Sequence, residues 1–334
     1  MVTVTLLAGG LAACGSSGGS SASGNSKAPT TVSVMAYPGQ SYRLPFLAAE
    51  KEGFFKDHGI SFKFVSQPNN LTGTQGMAAT KAEVGYLSTT TEVQGSQAGQ
   101  TYPFFCGGIK VLQTTLIADT KSKLPSMADG ASWQDVLRAL KGKKIGIQTP
   151  VGSGLQILFA AALKEAGLGP NDVTYVNLGG TPTTVEAALK NGSVDVAQIN
   201  PPGTQLLQTK KYGKQLIYMP DGPDVYKTYY GSGMVGNPTW LKDHPDTAKA
   251  FCDAYAEGLK WVQDSANTEE AATMLSKDTG VEADAAKLVV TDTFGDFSAE
   301  LDDATMQKTF DAYVDLGIAK AEPKPKTDDL VARP

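Results

Sequence analysis

From residue 31 onward, short apolar runs alternate with longer segments whose apolar positions recur at helical spacing. VSVMAY (32–37), ISFKFV (60–65) and VGYLS (84–88) read as strands. LAAEKEGFFKDHG (47–59), the stretch 72–80 and a segment opening at Thr89-Thr90-Thr91-Glu92 read as helices. The rhythm then repeats: KKIGIQ (143–148), VTYVNL (173–178), VDVAQIN (194–200) and KQLIYM (214–219) are strand-like and separated by helical stretches. Strands alternating with helices predict parallel sheets covered by helices. Two extended apolar stretches, 112–118 and 229–235, follow the first and second series. They predict two strands crossing between two similar α/β lobes, with a cleft at the hinge. Ligands of open parallel sheets lie outside the carboxyl ends of the strands. PGQSY (38–42), LSTTTE (87–92), QTPVGSG (148–154) and INPPG (199–203) fall at such ends, so these turns are expected to converge on one cleft. Beyond residue 240 the pattern is almost wholly helical. Phe251, Tyr255, Leu259 and Val262 mark a packing face, and PKPKTDDLVARP (323–334) is a polar tail.

At 334 residues the chain is long enough for two lobes with real cores. Its net charge of −5 and scattered Lys and Arg lack the basic stripe that nucleic-acid binding needs. Only two histidines occur, His58 and His244, which argues against a His-dependent hydrolase or a multi-His metal site. No cofactor and no metal are expected.

The first residues change where this body is placed. MVTVTLLAGGLAAC (1–14) is apolar but too short for a spanning helix, which needs about 20 residues. Leu11-Ala12-Ala13-Cys14 resembles the lipobox of bacterial lipoproteins, whose cysteine takes a diacylglyceryl group and becomes the new N-terminus. No Lys or Arg precedes Cys14, a departure from the usual basic leader; an ordinary secretory signal with an incidental cysteine is the alternative. Residues 15–30 are Gly/Ser-rich and read as a flexible tether. The expectation is an extracytoplasmic monomer anchored by Cys14 to the outer face of the cytoplasmic membrane, at a Gram-positive-type surface or in a periplasm. In that oxidising setting Cys106 and Cys252 are either a disulfide or two buried thiols.

Five segments together resemble the extracytoplasmic solute-binding proteins of ABC importers, in the branch for nitrate, sulfonates, taurine and thiamine-precursor pyrimidines. They are LAAEKEGFFKDHGISFKFV, KAEVGYLSTTTEVQGSQAG, LKGKKIGIQTPVGSGLQILFAAALKEAGL, VEAALKNGSVDVAQINPP and WLKDHPDTAKAFCDAYAEGLKWV. The resemblance implies a type II periplasmic-binding-protein fold: two lobes, each a mostly parallel sheet flanked by helices, joined by two crossing strands. It places lobe 1 at 31–114 and 229–334 and lobe 2 at 115–228. It also implies a small-molecule solute, ABC permease subunits as partners, and no chemistry.

The turn Thr149-Pro150-Val151-Gly152-Ser153-Gly154 opens a helix, where free N–H groups and the helix dipole favour an anion. Thr149, Gly152, Ser153 and Gly154 are therefore candidate ligand contacts, although Ser153 also suits a helix cap. Ser88, Thr89 and Thr90 are expected opposite, with an N-cap near Glu92 as the competing reading. Gln40, Ser41 and Tyr42 follow the first strand, and Asn200 and Pro201 close the last strand of the second series. Arg43 either clamps an oxyanion or lies on the outer helix surface. Tyr229 and Tyr230 either stack on a planar ligand or fill the core. Lys110 is a further candidate for charge pairing. GxSxG outside the Gly/Ser tether, GxxxxGK[ST], and GxGxxG after a strand are all absent, as is the cysteine-rich motif of the fungal pyrimidine synthases that share the fold. Binding is thus expected rather than catalysis, of a small organic anion such as a sulfonate, nitrate or aromatic carboxylate. A neutral pyrimidine or thiamine precursor is the alternative, and an enzyme of the pyrimidine-synthase type a remoter one.

Overall fold

The computed structural model describes residues 29–66, 73–148, 151–179, 182–227 and 229–334. The leader with Cys14, the tether up to residue 28, and Thr149 lie outside the described residues.

Strands form where β-branched and aromatic residues cluster between turns. They are β1 (Thr30–Met35), β2 (Ile60–Val65), β3 (Val84–Ser88), β4 (Phe104–Ile109), β5 (Thr115–Asp119) and β6 (Lys144–Ile147). β7 (Thr174–Asn177), β8 (Val196–Ile199), β9 (Gly213–Tyr218), β10 (Ser232–Gly236) and β11 (Phe297–Ser298) follow. One sheet has the order β11-β4-β10-β3-β1-β2 and the other β7-β6-β8-β5-β9. Each is built on a parallel core, β2-β1-β3 or β7-β6-β8. The inner strands β3 and β8 are almost continuously buried, as sheets covered on both faces require.

The remaining pairings are antiparallel, so each sheet is mixed, and the expected parallel character holds only for the cores. The crossings explain this. β5 enters the second sheet from the first, and β10 returns the other way. Each starts at the carboxyl ends of the parallel strands and runs against them. Strand for strand, β2-β1-β3-β10-β4 matches β7-β6-β8-β5-β9, the internal likeness visible in the sequence. β4, the counterpart of β9, and the extra edge strand β11 were not revealed by the apolar pattern.

One apolar cluster joins the two lobes, with Leu87 and Phe104 of the first sheet and Leu116, Ile145 and Val196 of the second. A second binds the first sheet to the C-terminal helices through Phe46, Phe62, Phe251 and Tyr255. The helix Pro245–Gln263 buries Phe251, Tyr255, Leu259 and Val262, the face its spacing predicted. Cys252 on this helix is disulfide-bonded to Cys106 on β4, with a Cα separation of 5.7 Å. That decides between the two readings of these cysteines. Among the described residues no helix is long and apolar enough to cross a membrane.

Candidate functional site

A cleft of about 150 Å³ opens between the sheets. Gln40, Ser41 and Tyr42 after β1, Ser88 at the end of β3, and Gly231 and Ser232 at the start of β10 form one wall. Leu155, Asn200 and Pro201 form the other, and residues 109 and 111–114 of the first crossing complete the lining.

Among the described candidates, six line the cleft: Gln40, Ser41, Tyr42, Ser88, Asn200 and Pro201. Ser41 is only 5% exposed, and its hydroxyl has no hydrogen-bond partner among the described residues. Tyr42 is held rigidly. Its ring stacks on Tyr86 with centroids 4.1 Å apart and planes 3° from parallel, and its hydroxyl accepts the Tyr37 N–H at 2.8 Å. Burial raises the Tyr42 phenol well above its usual pKa, so it stays neutral. Ser88 caps the helix Thr89–Gln97, its Oγ accepting the Thr91 N–H at 3.2 Å. Asn200 Oδ1 accepts from Thr114 Oγ1 at 3.0 Å, tying one wall to the crossing.

The other candidates have structural partners. Thr89 is fully buried; its hydroxyl donates to Tyr230 O at 2.5 Å and lies 2.8 Å from the Tyr313 hydroxyl. It fastens the helix to the returning crossing and does not reach the cleft. Thr90 and Gly154, both buried, face one another instead of a ligand. Gly152 is exposed at φ +89°, and its N–H is taken by Gln156 Oε1 at 3.0 Å. Ser153 Oγ accepts the Gln156 N–H at 3.4 Å. Reciprocal bonds of this kind cap the helix and use donors that were expected to meet a ligand. Among the described residues here, the one that lines the cleft is Leu155, in the first turn of the helix that follows.

Tyr230 is 2% exposed, with its hydroxyl accepting the Gly108 N–H at 3.0 Å and donating to Glu300 O at 3.4 Å. Tyr229 packs edge-on against Tyr313. Both are core residues because the crossing runs through the apolar cluster shared by the lobes. Arg43 lies neither in the cleft nor on the outer surface. It pairs with Asp278 at 2.9 Å and covers the Phe64 ring at 4.0 Å. The two charged side chains are only 13% and 15% exposed. Arg43→Ala is expected to lower unfolding stability by about 1–3 kcal/mol, because it leaves Asp278 unpaired; urea denaturation measures it. Lys110 is exposed and outside the lining.

The first crossing was expected from the sequence, but none of its residues was named as part of the cleft, whose lining includes 111–114. The crossing's polar pair Gln113-Thr114 was the available signal. Gln113 Nε2 donates to Thr293 O at 2.7 Å and to Asp296 Oδ2 at 3.1 Å, and Tyr218 at the end of β9 donates to the same carboxylate at 2.8 Å. Asp296 thus fixes the hinge from a segment that read only as packing.

Among the described residues the lining contains hydroxyls, amides, one phenol and apolar groups, with no charged side chain. Such a surface can bind by hydrogen bonds and dispersion. Among the described residues no cluster of His, Cys, Asp and Glu is arranged to hold a metal.

Comparison with known proteins places this architecture. Over 92% of this chain, it superimposes on 99% of the alkanesulfonate-binding protein SsuA from Xanthomonas axonopodis pv. citri bound to MOPS, with a TM-score of 0.67 and 16% identity. The aliphatic sulphonate binding protein SsuA from Escherichia coli gives 0.70 and 17%, covering 92% of this chain and 93% of that one. The nitrate-binding protein NrtA from Synechocystis PCC 6803 gives 0.69 and 15%, covering 91% and 86%. At these identities the likeness is one of fold. In sequence, the chain is 25% identical over 227 residues to a 4-amino-5-hydroxymethyl-2-methylpyrimidine phosphate synthase of Uromyces fabae. That match covers 65% of this chain and 62% of the relative, so the chain spans less than two thirds of that protein. The NMT1/THI5 like family model matches residues 40–271, well over half of the sequence. With the fold and this match together, the chain belongs to the NMT1/THI5-like family.

Proposed function

We propose that the protein is the extracytoplasmic solute-binding component of an ABC importer, which captures a small solute between its lobes and delivers it to permease subunits. The observation that carries this is the cleft at the carboxyl ends of the strands, lined from both sheets by hydrogen-bonding side chains. The sulfonate- and nitrate-binding names of the structural neighbours agree with it. In this reading residues 31–114 with 229–334 and residues 115–228 are the two lobes, and a monomer is tethered to the membrane by lipidated Cys14.

Binding without turnover is supported by the character of the lining. General acid–base or nucleophilic work needs a titratable or activated group in reach of the substrate. Among the described residues the lining offers only a phenol held neutral by burial. The pyrimidine phosphate synthase relative keeps an enzyme as the second reading.

For the solute, the lining favours the neutral alternative over an organic anion. A desolvated anion needs a cation or several converging donors. Arg43 is committed to Asp278, and the Gly152–Ser153 turn is occupied by its own cap. Thermal-shift measurements against neutral pyrimidines, sulfonates, nitrate and aromatic acids test this. A neutral compound at a hundred times its Kd is expected to add about 2.7 kcal/mol of stability. Stabilisation by anions alone overturns the neutral reading, and conversion of a stabilising compound overturns binding without chemistry.

A further inference from the structure

We propose that Gly154 and Thr90 form the stop that sets how far the two lobes close, a role that rests on the solute-binding reading above. The turns 88–90 and 152–154 were each expected to grip a ligand; the structure brings them against one another.

Gly154 is the first residue of the helix Gly154–Glu165 and does not have the positive φ of Gly152, which makes the turn. Its missing side chain serves space. A Cβ at Gly154 would stand 2.9 Å from both Cβ and Cγ2 of Thr90 and 3.2 Å from Cγ2 of Ile318. No rotamer change relieves a clash made by Cβ itself. The opposing surface is also fixed: Thr90 and Ile318 are each 5% exposed, and Gln94 Nε2 donates to Ile318 O at 3.2 Å. The helices Thr89–Gln97 and Gly154–Glu165, which belong to different lobes, therefore touch at their first turns.

This contact adjoins the cleft on both sides. Leu155, the next residue along, lines one wall, and Ser88, whose Oγ is 3.0 Å from Thr90 Oγ1, lines the other. Widening the stop separates these two cleft residues without altering either. Gly154 and Thr90 are thus positioning residues.

The test uses the full chain with its disulfide intact and spin labels at the exposed positions Lys56→Cys and Lys164→Cys, one in each lobe. Pulsed EPR gives the distance distribution in the free protein and with each neutral pyrimidine of the panel. Carbon atoms pack best at about 3.5–4.0 Å, so Gly154→Ala is expected to move the shortest population outward by about 1 Å, and Gly154→Leu further. Combining Gly154→Ala with Thr90→Gly transfers the missing side chain across the interface and is expected to restore the original distribution. Identical distributions in the original protein, Gly154→Ala and Gly154→Leu overturn the proposal. So does an outward shift that Thr90→Gly fails to reverse, since that is a merely local disturbance. Failure of the solute-binding reading has a separate signature: no compound stabilises the protein, while the label distances still respond to Gly154.

Discussion

Replacing Cys106 and Cys252 by alanine, or reducing their bond, is expected to lower unfolding stability by about 3–5 kcal/mol. The two residues are 146 positions apart. The loop they close contains the whole second sheet and both crossings. In the chain-entropy account a cross-link acts mainly by restricting the unfolded chain, and a loop this long lies near the top of the known range. The native ends are well placed to show the effect, because β4 and the helix Pro245–Gln263 both belong to the first lobe and pack through the same core. Urea denaturation of the oxidised protein, the reduced protein and the double alanine variant measures it. A difference under about 1 kcal/mol would mean that the bond does not constrain the unfolded chain. Such bonds persist in oxidising compartments, which agrees with the proposed extracytoplasmic location.

The second large effect is expected at Glu92, where burial raises the carboxyl pKa to about 9. The side chain is 0% exposed. One oxygen accepts the Tyr102 N–H at 2.7 Å, and the other has no partner among the described residues. An acid with a higher pKa folded than unfolded takes up a proton on folding. Stability then falls as pH rises from the unfolded value near 4.5 through about 9. The full slope is about 1.4 kcal/mol per pH unit, so this one group removes roughly 2–3 kcal/mol between pH 6 and 8. Asp119, Asp129, Asp172 and Glu186 have lowered pKa values and titrate below this window. Glu92→Gln keeps the shape and an acceptor for Tyr102 but cannot ionise. Its unfolding stability is expected to vary less between pH 6 and 9 and to exceed that of the original protein at pH 8 by about 2 kcal/mol. Parallel pH profiles for the two proteins would show that Glu92 does not fold in its protonated form.

Gln40, Ser41, Tyr42, Ser88, Asn200 and Pro201 were legible as cleft residues for one reason. Apolar periodicity locates the ends of strands, and the geometry of parallel sheets places those ends together. Gly154 shows where that reasoning stops. A glycine at a helix start serves a turn, a ligand or a close neighbour, and only Thr90 and Ile318 at contact distance distinguish the third. Arg43 is similar: its partner Asp278 is 235 residues away, and no local pattern connects them. Tyr230 reads as a ring available for stacking until Gly108 and Glu300 are found at its hydroxyl.

The sequence by itself determined the alternation of strands and helices, the repeated series, and the turns at the strand ends, because these follow from local periodicity and turn chemistry. Only the tertiary structure decided the pairing of Cys106 with Cys252, the burial of Glu92, the absence of charge among the described residues of the cleft lining and the meeting of the two helix starts. Each of those depends on which distant residues the crossings bring into contact, and burial and proximity are properties of the packed chain.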